Sequence, residues 1–180
     1  WKNNNLGSVS QAGLINNLND GMVWGLFPLL LSTRGFTLQE VGLITAIYPG
    51  IWGLGQLFTG KMADHFSKKL MLFWGMFLQG IALLLFIGAS SFIHYSILSA
   101  LLGLGTAMVY PTFLASISEN VHPQDRPKSI GTFRLWRDLG YAIGAILTGI
   151  ISDAFNINTA IVFVGLLTIV SSFVVVIRMS

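Results

Sequence analysis

Residues 15–21 read Ile-Asn-Asn-Leu-Asn-Asp-Gly, and oily segments flank them, "SVSQAGL" over 8–14 and "MVWGLFPLLL" over 22–31. Three Asn and one Asp in mid-run are unremarkable in water and costly in hydrocarbon. The reading of this stretch therefore depends on the solvent around the chain. The 180 residues are 53% hydrophobic and only 9% charged, with a mean hydropathy of +0.72. A soluble domain carries about 25% charged residues. Between Lys69 and Glu119 lie 49 residues without Asp, Glu, Lys or Arg. A helical bilayer crossing takes about 20 apolar residues, so this gap holds two crossings and a turn at "GASSFIHY", Gly88 to Tyr95. The chain reads as an all-α integral membrane protein.

Six crossings follow, over 6–32, 39–60, 70–88, 94–118, 130–152 and 157–177. Breakers part them at "STRGF", "VHPQDRPK" and "DAFNIN". In "TLQE", Thr37 and Glu40 have the spacing of a capping box that opens the second helix. Six helices put both termini on one side. Lys2, Lys61, Lys68, Lys69, Arg126, Lys128, Arg134, Arg137 and Arg178 fall on that side, and Arg34 alone falls opposite. A positive-inside bias of this kind makes the termini cytoplasmic, in a multi-pass protein of the plasma (inner) membrane. The net charge of +3 is thus a matter of topology and not of nucleic-acid binding.

There is no cysteine, which excludes disulfides and thiolate metal sites. His65, His94 and His122 lie on separate elements, so no metal cluster and no cofactor site is expected. No phosphate-binding loop of the Gly-x-x-x-x-Gly-Lys-Ser/Thr kind is present, and no Ser–His pair sits at membrane depth. An enzyme is not expected. The chain opens on Trp1, and "WKNNN" lacks the layout of a signal peptide, so a segment of a longer chain is expected.

"GQLFTGKMADHF" (55–66) and "GAILTGIISDAF" (144–155) match at Gly55/Gly144, Thr59/Thr148, Gly60/Gly149, Asp64/Asp153 and Phe66/Phe155. The match lays helix two on helix five. By the charge distribution those helices run in opposite senses, so the chain is expected to be a three-plus-three inverted repeat. With this repeat, the chain resembles the C-terminal six-helix half of a major facilitator superfamily transporter, a family for which nested inverted repeats are a known property. "GKMADHFSKK" resembles the family's cytoplasmic loop motif, matching at Gly60, Asp64, Lys68 and Lys69, with His65 and Ser67 departing from it. The stretch from Leu104 to Ala145 resembles the family's tenth and eleventh helices with their basic connection. The resemblance implies a preceding N-terminal half as a partner, a small-solute cargo, and an Asp64 that docks on the opposite half. The alternative for Asp64, Lys68 and Lys69 is a solvated turn.

The polar residues then sort by helix. Helix three offers Gln79, and helix six Thr168, Ser171 and Ser172, so both are expected to face lipid. Tyr48, Trp52, Gln56 and Thr59 share one face of helix two, and Thr106 and Tyr110 one face of helix four, ahead of Pro111. Arg134, Asp138 and Tyr141 share a face of helix five. Arg134, Arg137 and Asp138 read either as a local ion pair, Arg134 with Asp138, or as a cytoplasmic gate or anionic-substrate site. In helix one, Asn16, Asp20 and Trp24 are spaced by four, with Asn17 beside them and Gly21 next, near the helix midpoint. They read either as interhelical hydrogen-bonding or as the lining of a wet cavity, and the second reading accounts better for a carboxylate at that depth. The expectation is a solute path walled by helices one, two, four and five and working by alternating access. Proton coupling through Asp20 is one mode, exchange and uniport are others, and direction and substrate stay open. A non-transporting sensor or scaffold is the competing class.

Overall fold

A computed structural model describes residues 3–179. Lys2, counted above among the basic residues of the terminal side, lies outside the described residues, as does Trp1. Six α-helices make up almost the whole chain: α1 (Asn4–Thr33), α2 (Leu38–His65), α3 (Lys68–Leu85), α4 (Phe92–Asn120), α5 (Arg126–Ala154) and α6 (Ile157–Arg178). Short 3-10 turns follow α3 at Phe86–Gly88 and precede α5 at Pro123–Asp125. Four of the six, α2, α3, α4 and α6, are long and apolar enough to cross a membrane. The polar run of 15–21 weighs against α1, and the basic start of α5 against that helix.

The ends of these helices follow local chemistry. The capping box is present, with Thr37 accepting from the Glu40 backbone and the Glu40 carboxylate accepting from the Thr37 N–H at 2.8 Å. After α1 the chain reverses at Gly35, whose φ of +86° favours a residue without a Cβ. The Phe36 N–H reaches back to the Leu31 carbonyl and the Gly35 N–H to that of Ser32, the pairing of a Schellman stop. The motif "GKMADHFSKK" departs from expectation. Gly60 and Asp64 belong to α2, which runs on to His65, and the break falls only at Phe66 and Ser67. A lone glycine costs a helix about 1 kcal/mol and does not end it.

Connections this short make sequential helices antiparallel. Apart from α3 on α4, however, the main contacts are between helices that are not neighbours in sequence: α1 on α5 and α6, α4 on α2, and α3 on α6. Among lipids as apolar as leucine, close backbone approach takes over the role of the hydrophobic effect. A Cβ at Gly144 would come within 2.7 Å of Leu18 Cα on α1, and one at Gly55 within 2.7 Å of Ala107 Cβ on α4. Gly75 and Gly105 meet across α3 and α4 in the same manner, as do Gly80 and Gly165 across α3 and α6.

Apolar side chains gather in two clusters. One holds Val9, Met76, Phe113 and Phe133 towards the termini, and the other Phe27, Ile44, Phe86 and Tyr95 towards Arg34. Lys68 pairs with Glu119 at 2.5 Å, and Lys69 donates to the Met179 carbonyl at 2.6 Å. These bonds tie the start of α3 to the ends of α4 and α6. The polar groups of helix midpoints lie between the clusters.

Candidate functional site

Asp20 is the only buried acid of the seven in the chain, with 7% of its surface exposed. It sits near the middle of α1, and the hydroxyl of Tyr48, from the middle of α2, donates to its Oδ1. The same hydroxyl lies 3.1 Å from Thr106 Oγ1 on α4, and Thr106 reaches the Leu102 carbonyl at 3.1 Å. A tyrosine has one proton to give. With that proton given to Asp20, the Tyr48 oxygen can only accept, so the single Thr106 proton is shared between Tyr48 and the Leu102 carbonyl. Three helices therefore meet in a single chain of hydroxyls ending on a carboxylate. Asp20 Oδ2 accepts no hydrogen bond among the described residues.

An aromatic run extends from this point. The ring of Trp24 stands 6.2 Å from that of Tyr48, Trp52 stacks 6.3 Å beyond, and Tyr110 meets Trp52 edge-on at 5.7 Å. The Arg137 guanidinium ends the run 5.6 Å above the Tyr110 ring, with Nη1 donating to the Tyr110 hydroxyl at 2.9 Å. Arg137 Nε and Nη2 both hold Asp138 Oδ1, at 2.8 and 2.7 Å. Arg137 is close enough to Asp20, and Tyr141 to Tyr48, to act on it electrostatically. Trp24 and Tyr141 are 44% and 41% exposed, so the run opens onto the outer surface of α1 and α5. Residues grouped helix by helix in the sequence thus meet across α1, α2, α4 and α5.

Other expected residues lie elsewhere. Asn16 accepts from Gln79 Nε2 at 3.0 Å, and Gln79 Oε1 accepts from Asn19 Nδ2 at 3.0 Å, all three buried. Within "INNLNDG", Asn16 and Asn19 therefore join α1 to α3, while Asp20 joins it to α2 and α4. Among the described residues Asn17 accepts from Asn16 alone, at 3.4 Å, and Gln56 turns to the Trp52 carbonyl of its own helix at 3.5 Å. Asp138 pairs with Arg137 and not with Arg134, which is exposed and forms no ion pair among the described residues. Tyr110 fixes the Arg137 fork where Asp138 meets it. Asp64 is also exposed and unpaired among the described residues. A separate cleft of about 270 Å³, lined by Leu6, Ser10, Ile117, Lys128, Thr132 and Phe133, opens between α1, α4 and α5 near the termini, away from Asp20.

Two features escaped the sequence. Gln79 is the central member of the amide cluster, although it looked like a stray polar group on a lipid-facing helix. Thr59 donates to the Ala107 carbonyl at 2.6 Å. Pro111 lacks the N–H that would hold that carbonyl within α4, so the proline was a signal for a partner four residues back.

Residues 9–179 match the model of the Major Facilitator Superfamily. The inner membrane transport protein YnfM of Escherichia coli is 26% identical over 147 residues, 82% of this chain and 35% of that protein. An uncharacterized MFS-type transporter of Methanocaldococcus jannaschii is 26% identical over 161 residues, 87% of this chain and 41% of that protein. The fosmidomycin resistance protein of Escherichia coli is 24% identical over 146 residues, 81% of this chain and 36% of that protein. The chain thus spans well under half the length of the curated relatives it matches. With a family match over nearly every residue and an all-helical bundle holding four apolar spans, this multi-pass membrane protein belongs to the major facilitator superfamily.

Proposed function

We propose that the chain is one six-helix half of a secondary transporter that moves a small solute by alternating access. In this reading all six helices cross the plasma (inner) membrane, with the termini cytoplasmic and an N-terminal half completing the path. Helices α1, α2, α4 and α5 wall the path, and α3 and α6 face lipid. The outer surfaces of α3 and α6 are apolar at Trp74, Phe163, Val170 and Phe173, while Gln79, Thr168, Ser171 and Ser172 turn inward. Four crossings meet the apolarity criterion unaided. The other two, α1 and α5, carry the polar groups that a water-reached wall requires.

The inverted repeat has structural support beyond its sequence match. Gly144 and Gly55 both let their helices approach a neighbour, α5 against α1 and α2 against α4. The hydroxyls of Thr148 and Thr59 each lie within hydrogen-bond distance of the glycine carbonyl four residues earlier, at 2.7 and 3.1 Å, with Thr59 sharing its proton between Gly55 and the closer Ala107 carbonyl. Exchanging α1 with α4, α2 with α5 and α3 with α6 also exchanges their main packing partners. Rocking of a repeat about a fixed central site is the motion such symmetry allows.

The carrying observation is the buried carboxylate of Asp20, mid-helix, held by Tyr48, which Thr106 contacts in turn, beside an aromatic run that opens at Trp24. A titratable group so placed couples a proton to solute movement: protonation removes the charge that holds Tyr48 and so loosens α1 from α2 and α4. The test uses the full-length protein reconstituted in vesicles. Asp20→Asn keeps shape and hydrogen bonding while abolishing titration. It should leave the melting temperature within a few degrees of the parent and eliminate accumulation driven by a pH gradient, with solute exchange retained. Undiminished gradient-driven accumulation by Asp20→Asn would remove Asp20 from coupling.

A further inference from the structure

The charge balance along the aromatic face bears on the class of solute. Arg137, the cation of the face, is committed to neighbours: Nε and Nη2 hold Asp138 and Nη1 holds Tyr110. A solute anion would have to displace a carboxylate already seated at 2.7 Å. Asp20 is in the opposite condition. One of its oxygens accepts from Tyr48 and the other from nothing among the described residues. The Tyr48 ring stands beside it with the Trp24 ring 6.2 Å from that of Tyr48, and Tyr141, its backbone packed against Gly21, lies within electrostatic reach of Tyr48. A carboxylate with a free oxygen among aromatic rings attracts positive charge twice over, by direct attraction and by the negative ring faces.

We propose that the face binds an organic cation, a single positive charge on an apolar or aromatic body, with the charge against Asp20 and the body against Trp24 and Tyr141. The assignment rests on the reading of this face as the wall of the solute path. Exposed Trp24 supplies a flat surface that a bulky body can stack upon, and buried Tyr48 keeps the carboxylate oriented towards it. A neutral solute of the same shape gains the stacking and loses the attraction to Asp20.

The probes are tetraphenylphosphonium and tetraphenylborate, which share one shape and carry opposite charges. Binding to the full-length protein in nanodiscs is measured by equilibrium dialysis, with empty nanodiscs correcting for partition into lipid. The phosphonium should bind saturably and at least about tenfold more tightly than the borate, and Asp20→Asn and Trp24→Ala should each weaken it by about tenfold. Trp24→Phe, which keeps a ring, should retain most of the affinity and so guards against a fold defect. Equal binding of the two ions, a preference for the borate, or phosphonium binding indifferent to both variants overturns the proposal. Labelling of Tyr141→Cys by an impermeant maleimide from each membrane face separates the two readings. If labelling holds while the cation preference fails, the substrate class alone is wrong. If both fail, the path reading falls with it.

Discussion

Replacing Gly144 by alanine adds one methyl group at the tightest crossing of the bundle. The new Cβ would lie 2.7 Å from Leu18 Cα and 2.8 Å from its carbonyl carbon, against an ordinary carbon–carbon contact of about 3.5–4.0 Å. The opposing atoms are backbone, so no rotamer change relieves the clash, and α5 must move off α1 by about 1 Å to restore normal contact. Overpacking of this sort costs about 1–3 kcal/mol. Alanine returns about 0.5–1 kcal/mol through its helix preference, leaving a net loss near 1–2 kcal/mol. Gly149 is the control, five residues further along α5, where an added Cβ meets nothing within 4 Å. The assay is thermal unfolding of the purified protein in detergent, followed by tryptophan fluorescence. Gly144→Ala should lower the midpoint by about 2–8 °C, and Gly149→Ala should hold or raise it. The same midpoint for both variants would refute the close approach of α1 and α5.

Gln79→Leu should lower the unfolding midpoint more than Asp20→Asn does, because it strands two buried amides at about 0.6–1.7 kcal/mol per lost interhelical bond, and thermal unfolding of the two variants checks the order. Thr59→Val leaves the Ala107 carbonyl, already released by Pro111, without a partner, and a loss of about 1 kcal/mol is expected in the same assay. Single cysteines at Gly35 and Asn156 should react with an impermeant maleimide from outside the cell, and one at Ser67 only from the cytoplasmic face; equal reactivity of all three would end the six-crossing topology.

The sequence made some limits of the helices legible, at Thr37 and Gly35 though not at the end of α2, because those signals are local. A capping box needs Thr37 and Glu40 alone, and the stop at Gly35 needs one residue without a Cβ. Asp20 was legible for a different reason: a carboxylate in a run of apolar side chains is too costly to lack a partner. The partners themselves were not. Asn16, Asn19 and Asp20 lie within five positions of one another, and a helix spreads such positions around its circumference. Periodicity cannot say that α3 stands on one side and α2 and α4 on the other. The pairing of Asp138 failed on similar grounds, since the four-residue rule favoured Arg134 while Tyr110, from α4, holds the Arg137 fork in place. Both departures arise where a neighbouring helix outranks the residue's own.

The central claim is that the exposed face of α5 is wet and that of α6 is not. Tyr141 on α5 and Phe163 on α6 are each 41% exposed in the structure, so geometry alone does not tell their surroundings apart. The chain has no cysteine of its own, and Tyr141→Cys and Phe163→Cys can be compared on a cysteine-free background in sealed vesicles of either orientation. An impermeant maleimide should label Tyr141→Cys from both faces as the path opens alternately, and Phe163→Cys from neither. Labelling of Phe163→Cys as readily as Tyr141→Cys, or of Tyr141→Cys from neither face, would contradict the account.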